Sequence, residues 1–172
     1  MAENEELVII KEVETSEMSQ VHHTIHANNL SAAQNWMFSQ DYKTKSKILQ
    51  TSWRYEMTFD QVPETGNVSC SINLKRTDSE NRPVNAVFRI SFSHYNHRLP
   101  LYTQTFNKDS MLHGDELQKY IAEIIPYPKL IRLLEQVIII DVFIFVRVCH
   151  SEINVDASST SGDNMEALSS KT

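Results

Sequence analysis

At 172 residues the chain has room for one domain of ordinary size plus tails. Its net charge of −6, with no basic stripe to outweigh the acids, argues against nucleic-acid binding. Only three glycines are present, and no Gly-x-Ser-x-Gly, phosphate-cradling loop or metalloprotease helix occurs, so the chain reads as non-catalytic, with no cofactor.

Residues 1–20 are acidic and read as a flexible N-terminal segment. One apolar patch interrupts them: Leu7, Val8, Ile9 and Ile10. It fits a short edge strand, a partner-binding segment or part of a tail, and is a secondary interface candidate. Met1 to Glu6 lack the basic start and apolar core of a signal peptide. The domain proper is expected over residues 21–150.

Val21 to Ile25 reads as its first strand. His22, His23 and His26 lie here, and a helix would set His22 and His26 one turn apart. No cysteine or acid stands at a structural zinc spacing, so no metal site is expected. The Lys43, Lys45 and Lys47 run, with Trp36 and Tyr42 nearby, reads as a solvated charged loop rather than a phosphate-contacting one.

Three stretches then alternate with period two. Trp53, Tyr55, Met57 and Phe59 share one face of the first. Val68, Cys70, Ile72 and Leu74 share one face of the second, and Ala86, Phe88, Ile90 and Phe92 one face of the third. Each pattern describes a strand with one buried side, as in an antiparallel sandwich. Asp60 to Asn67 and Thr77 to Asn85 read as hairpin connections. The Asn67-Val68-Ser69 sequon reads as fortuitous, since nothing else points to an oxidising compartment. Cys70 and Cys149 are expected as buried free thiols.

Leu99 to Phe106 is a further strand, with Pro100 at its start, where a missing amide is tolerated. His94, His97 and His113 flank loops and read as exposed. Leu117, Tyr120, Ile121 and Ile124 recur at helical spacing, so a short helix is expected there, stopped by Pro126 and Pro128. The run from Val137 to Cys149 is the most apolar of the chain. Ile138, Ile140, Val142, Ile144, Val146 and Val148 form one wholly apolar face; Phe143 and Phe145 sit between Asp141 and Arg147 on the other. This describes a central strand, with the two phenylalanines packed on the helix. The run is too short to span a bilayer, which takes roughly 20 apolar residues, so a cytoplasmic or nuclear protein without a membrane partner is expected. Cys149 beside His150 is no catalytic pair, because adjacent strand residues point to opposite faces. Residues 151–172 are rich in Ser, Thr, Asp and Asn and are expected to be disordered.

The order of these segments resembles a MATH domain, also called TRAF-C or TRAF-like, over Val21 to Val148. The resemblance rests on Ile25 followed by Asn29-Leu30-Ser31, the Trp53-led strand through Met57, Val68–Leu74, Val87–Ser93, Leu101–Phe106, the loop to Gly114, the Lys119-Tyr120-Ile121 step, Leu133-Leu134 and Val137–Val148. Before the expected helix the chain reads Leu112-His113-Gly114-Asp115-Glu116 where the family usually has a Trp-Gly pair. The resemblance implies an all-β antiparallel β-sandwich with one short helix before the last strand. It also implies a shallow groove that accepts an extended peptide beside an edge strand. By position, Phe88, Tyr102 and Phe106 match groove aromatics, and Asp115, Leu117 and Asn67 fall at further groove positions. The expected function is therefore a protein-interaction module, an adaptor or complex subunit. It would hold a partner protein through a sandwich surface or groove, with homo-oligomerisation open. The alternative is a peptide-groove substrate receptor linked to ubiquitination through a separate partner.

Overall fold

A computed structural model describes residues 8–14, 18–45, 49–96 and 99–149. Leu7, His97, His150 and residues 151–172 lie outside them, as do the side chains of Val8, Ile9 and Ile10. Nine strands follow in order: β1 Val8–Glu14, β2 Met18–Asn28, β3 Trp36–Lys43, β4 Ser52–Val62, β5 Asn67–Arg76, β6 Val84–His94, β7 Tyr102–Met111, β8 Glu116–Ile121 and β9 Val137–Val148. They form two antiparallel sheets, β1-β2-β9-β6-β7 and β3-β4-β5-β8, and the chain is an all-β sandwich.

The period-two patterns supply the two inner faces. Trp53, Tyr55, Met57, Phe59, Val68, Cys70 and Leu74 from one sheet meet Ile25, Ala86, Phe88, Ile90 and Phe92 from the other, all essentially buried. Rings interlock across the gap: Tyr55 meets Phe88 with centroids 5.9 Å apart, and Phe59 meets Phe92 edge-on at 6.3 Å. β9 is the middle strand of the larger sheet, between β2 and β6, as its uninterrupted apolar face requires.

The short helix before the last strand is a 3-10 helix at Pro128–Glu135, opened rather than stopped by Pro128 and packing Leu134 into the core. The segment expected to be helical, Leu117 to Ile121, is strand β8. A spacing of four satisfies both periods: Leu117 and Ile121 face the core as alternate strand positions, whereas Tyr120 is 63% exposed and could not have shared their side. One other reading changes: Thr77 to Asn85 is no hairpin, because β5 and β6 belong to different sheets. Trp36 to Lys43, leading into the lysine run, is an edge strand with Phe38 and Tyr42 facing inward.

Arg76 holds the crossing between sheets. Its guanidinium is wholly buried, pairs with Asp78 at 3.0 Å, and donates to the carbonyls of Arg82 and Met111, each at 2.6 Å. Burial of Asp78 opposes its ionisation, but Arg76 and the Ser52 and Glu80 amides together hold the carboxyl below the usual range. Asn67 is equally enclosed. Its side chain donates to the Ile125 carbonyl at 2.6 Å and accepts the Val68 amide at 2.9 Å. The sequon asparagine is thus a structural bracket between β5 and the segment after β8.

Candidate functional site

The smaller sheet ends in β8, which among the described residues pairs only with β5. The pairing phase fixes which backbone groups stay open. Arg76 donates its amide to the Asp115 carbonyl, so the two form a hydrogen-bonded pair. Pairs alternate along an antiparallel ladder. Lys75–Glu116, Asn73–Gln118 and Ser71–Tyr120 are therefore the non-bonded pairs, and Glu116, Gln118 and Tyr120 turn their amides and carbonyls away from β5. The Glu116 carbonyl takes the Lys108 ammonium at 2.9 Å, which agrees with this phase. Gln118 and Tyr120 leave a donor and an acceptor each on the open edge.

Beside that edge the outer face dips into a shallow depression of about 390 Å³ across β4, β5 and β8. Thr58, Ser71, Asn73, Gln118 and Tyr120 line it. Its walls are polar because these positions alternate with the core-facing ones on each strand. Asn73 lines the floor, its Oδ1 buried and without a hydrogen-bond partner among the described residues. Tyr120 stands up at the rim. On the far side of the edge Lys119 lies over the Phe106 ring at 5.9 Å, closing the cleft between β8 and β7.

The residues expected to line the groove divide on burial. Phe88 is fully buried and reaches no ligand; Phe88→Ala would open a core cavity at about 3–5 kcal/mol and report on folding. Leu117 is buried likewise, facing the core from β8. Asp115 is half-buried and structural, its carboxylate accepting the Leu112 amide at 2.9 Å in the β7–β8 turn. Tyr102 and Phe106 are half-buried on the inner face of β7, with Tyr102 packed on Phe92. Phe106 alone approaches the cleft. Tyr120 and Gln118 were missed because a helix reading of the segment hides its edge, and Asn73, on the polar face of an expected strand, because the strand beside it was not seen. Of the N-terminal patch, Val8 to Ile10 lie in edge strand β1 against β2.

The remaining polar candidates are structural. His22 and His23, adjacent in a strand, face opposite sides: His22 bonds Asp141 at 2.7 Å outside, and His23 bonds the Tyr55 hydroxyl at 2.6 Å inside. His94 is buried, not exposed, and bonds Gln136 at 2.7 Å. Both cysteines are free. Cys70 is buried, which pushes its thiol far up; Cys149 is half-buried and donates to Asn85 Oδ1 at 2.8 Å. Lys45 pairs with Glu12. No helix among the described residues is long and apolar enough to cross a membrane. No protein-family model matches the chain, and no curated protein matches it.

Proposed function

We propose that the protein is a non-catalytic interaction module of TRAF-like kind, an adaptor or complex subunit that takes an extended segment of a partner protein along β8. The observation that supports this is the open β8 edge beside a polar depression. Gln118 and Tyr120 offer strand-pairing groups, and the depression next to them offers polar walls and a rim aromatic. Strand addition draws affinity from main-chain hydrogen bonds and specificity from pockets for alternate side chains. The element order, with Trp53 leading β4 and the apolar β9 last, is compatible with the MATH resemblance.

The test is a peptide-library selection on the purified chain, followed by binding of the selected peptides to two variants. Gln118→Pro removes an open-edge amide without touching the β5–β8 ladder. Tyr120→Ala removes the rim aromatic. Both are expected to weaken binding by roughly tenfold or more while melting behaviour is kept. Selected peptides that bind both variants as well as the parent chain would overturn the β8 assignment.

A further inference from the structure

The outer face of the larger sheet carries a second constellation. Register places Lys11, His22, Phe143 and Arg89 in one row across β1, β2, β9 and β6. The next row holds Phe145 and Val87, and beyond it Arg147 stands opposite Asn85. The apolar members are half-buried, and Phe143 and Phe145 stack at 6.4 Å. Phe143 is sandwiched: the His22 ring stacks on it at 3.9 Å, and the Arg89 guanidinium lies over it at 5.1 Å. These phenylalanines do not pack on a helix, because the helical segment lies elsewhere; they face outward.

Lys11, Arg89 and Arg147 are exposed, and none forms a salt bridge among the described residues. Among the described residues this face carries Asp141, already bound by His22 and Thr24, while Glu12, next to Lys11 in β1, pairs with Lys45. A chain of net charge −6 thus presents, around an aromatic patch, three cations that form no salt bridge among the described residues. Arg89 spread on an aromatic ring keeps its fork of donors pre-organised, the form in which arginine takes a carboxylate. Four strand residues separate the Arg147 row from the Arg89 row, about 13 Å along the sheet.

We propose that this face docks an acidic extended segment of a partner protein. Its carboxylates, four residues apart on one side of the segment, would meet Arg147 and Arg89, with an apolar side chain between them on Phe145 and Val87. Four residues of extended chain also advance about 13 Å, and period two puts the middle side chain on the same side. The site lies on the opposite sheet from the β8 groove and does not depend on it.

The probe is a fluorescein-labelled decapeptide of Ser and Gly with glutamate at the third and seventh positions and leucine at the fifth. Its isomer carries the second glutamate at the sixth, on the opposite side. Fluorescence anisotropy at low salt is expected to show tighter binding of the first peptide. Arg89→Gln and Arg147→Gln should each cost roughly tenfold, Arg89→Lys should cost less, and Tyr120→Ala should change nothing. Equal binding of the two isomers, or no binding, would overturn the proposal, as would unchanged affinity in both arginine variants. Tighter binding of an oligothymidylate would assign the face to nucleic acid instead. A concentration-dependent dimer in sedimentation, lost in Arg89→Gln, would assign it to a second copy of the chain.

Discussion

His23 is a base placed where a proton is hard to hold. It sits between the sheets at 1% exposure, its Nδ1 on the Tyr55 hydroxyl and its Nε2 without a partner among the described residues. Burial pulls its pKa down to about 4, Glu12 works weakly against that, and His22 adds to it. The unfolded chain takes the proton near the ordinary value of 6.5, and the folded chain only near 4. Between those values the unfolded state binds more protons, so stability rises with pH. His23's contribution is complete above about pH 6.5, falls as pH drops through the window, and is flat below about 4. We expect on the order of 2 kcal/mol lost across it. Urea melts of the parent chain and His23→Gln from pH 7 to 4 check this: the difference in slope between the two should be confined to that window. Parallel pH profiles would mean that His23 does not titrate as its burial requires.

At the scale of elements, the β4–β5 hairpin shows a connection set by one residue. Gly66 closes the turn at φ +70°, donating its amide to the Val62 carbonyl at 2.8 Å. A Cβ there would meet only the Ile131 side chain at 3.8 Å, an ordinary contact. The cost of Gly66→Ala is therefore conformational, about 1 kcal/mol, and Gly66→Asn should recover part of it because asparagine tolerates the left-handed region. Chemical denaturation of the three chains measures the order; equal stability of the alanine and glycine forms would exclude it. This turn was legible from Pro63 and Gly66, as β4, β5, β6 and β9 were from alternation. What was not legible follows from the same physics. Edge strands carry polar inward positions, as Gln40 does in β3, and so blur the period. In β8 the inward position between Leu117 and Ile121 is Lys119, which reaches out over Phe106; an apolar spacing of four then reads equally well as helix. The groove residues were lost with that strand, since an open edge exists only once pairing is known. Phe88 was misplaced for the converse reason: its alternation marks a buried face, and the core claimed it.

At the scale of the molecule, the sandwich puts two unlike surfaces back to back. On the β4-β5-β8 face Arg54 pairs with Asp41 at 2.8 Å and Lys75 with Glu116 at 2.9 Å, while Glu56 at the depression forms no salt bridge among the described residues. Both pairs hold their carboxyls below the usual range. Main-chain pairing of an extended segment at β8 would use neutral amides and carbonyls, whose hydrogen bonds are little affected by ionic strength. The outer face of the larger sheet instead holds Lys11, Arg89 and Arg147 without salt bridges among the described residues, and attraction to a carboxylate there acts through water and is screened by salt. The two surfaces are therefore separable by a single variable. Raising salt from about 0.05 M to 0.5 M shortens the screening length from roughly 14 to 4 Å. Binding of the acidic decapeptide should fall steeply over that range, while a selected β8 peptide keeps its affinity within about twofold. Because the sites face away from each other across two sheets packed about 10 Å apart, saturating one should leave the anisotropy titration of the other unchanged. Competition between the two peptides would place them on one surface. Equal salt slopes would mean that charge does not distinguish the faces.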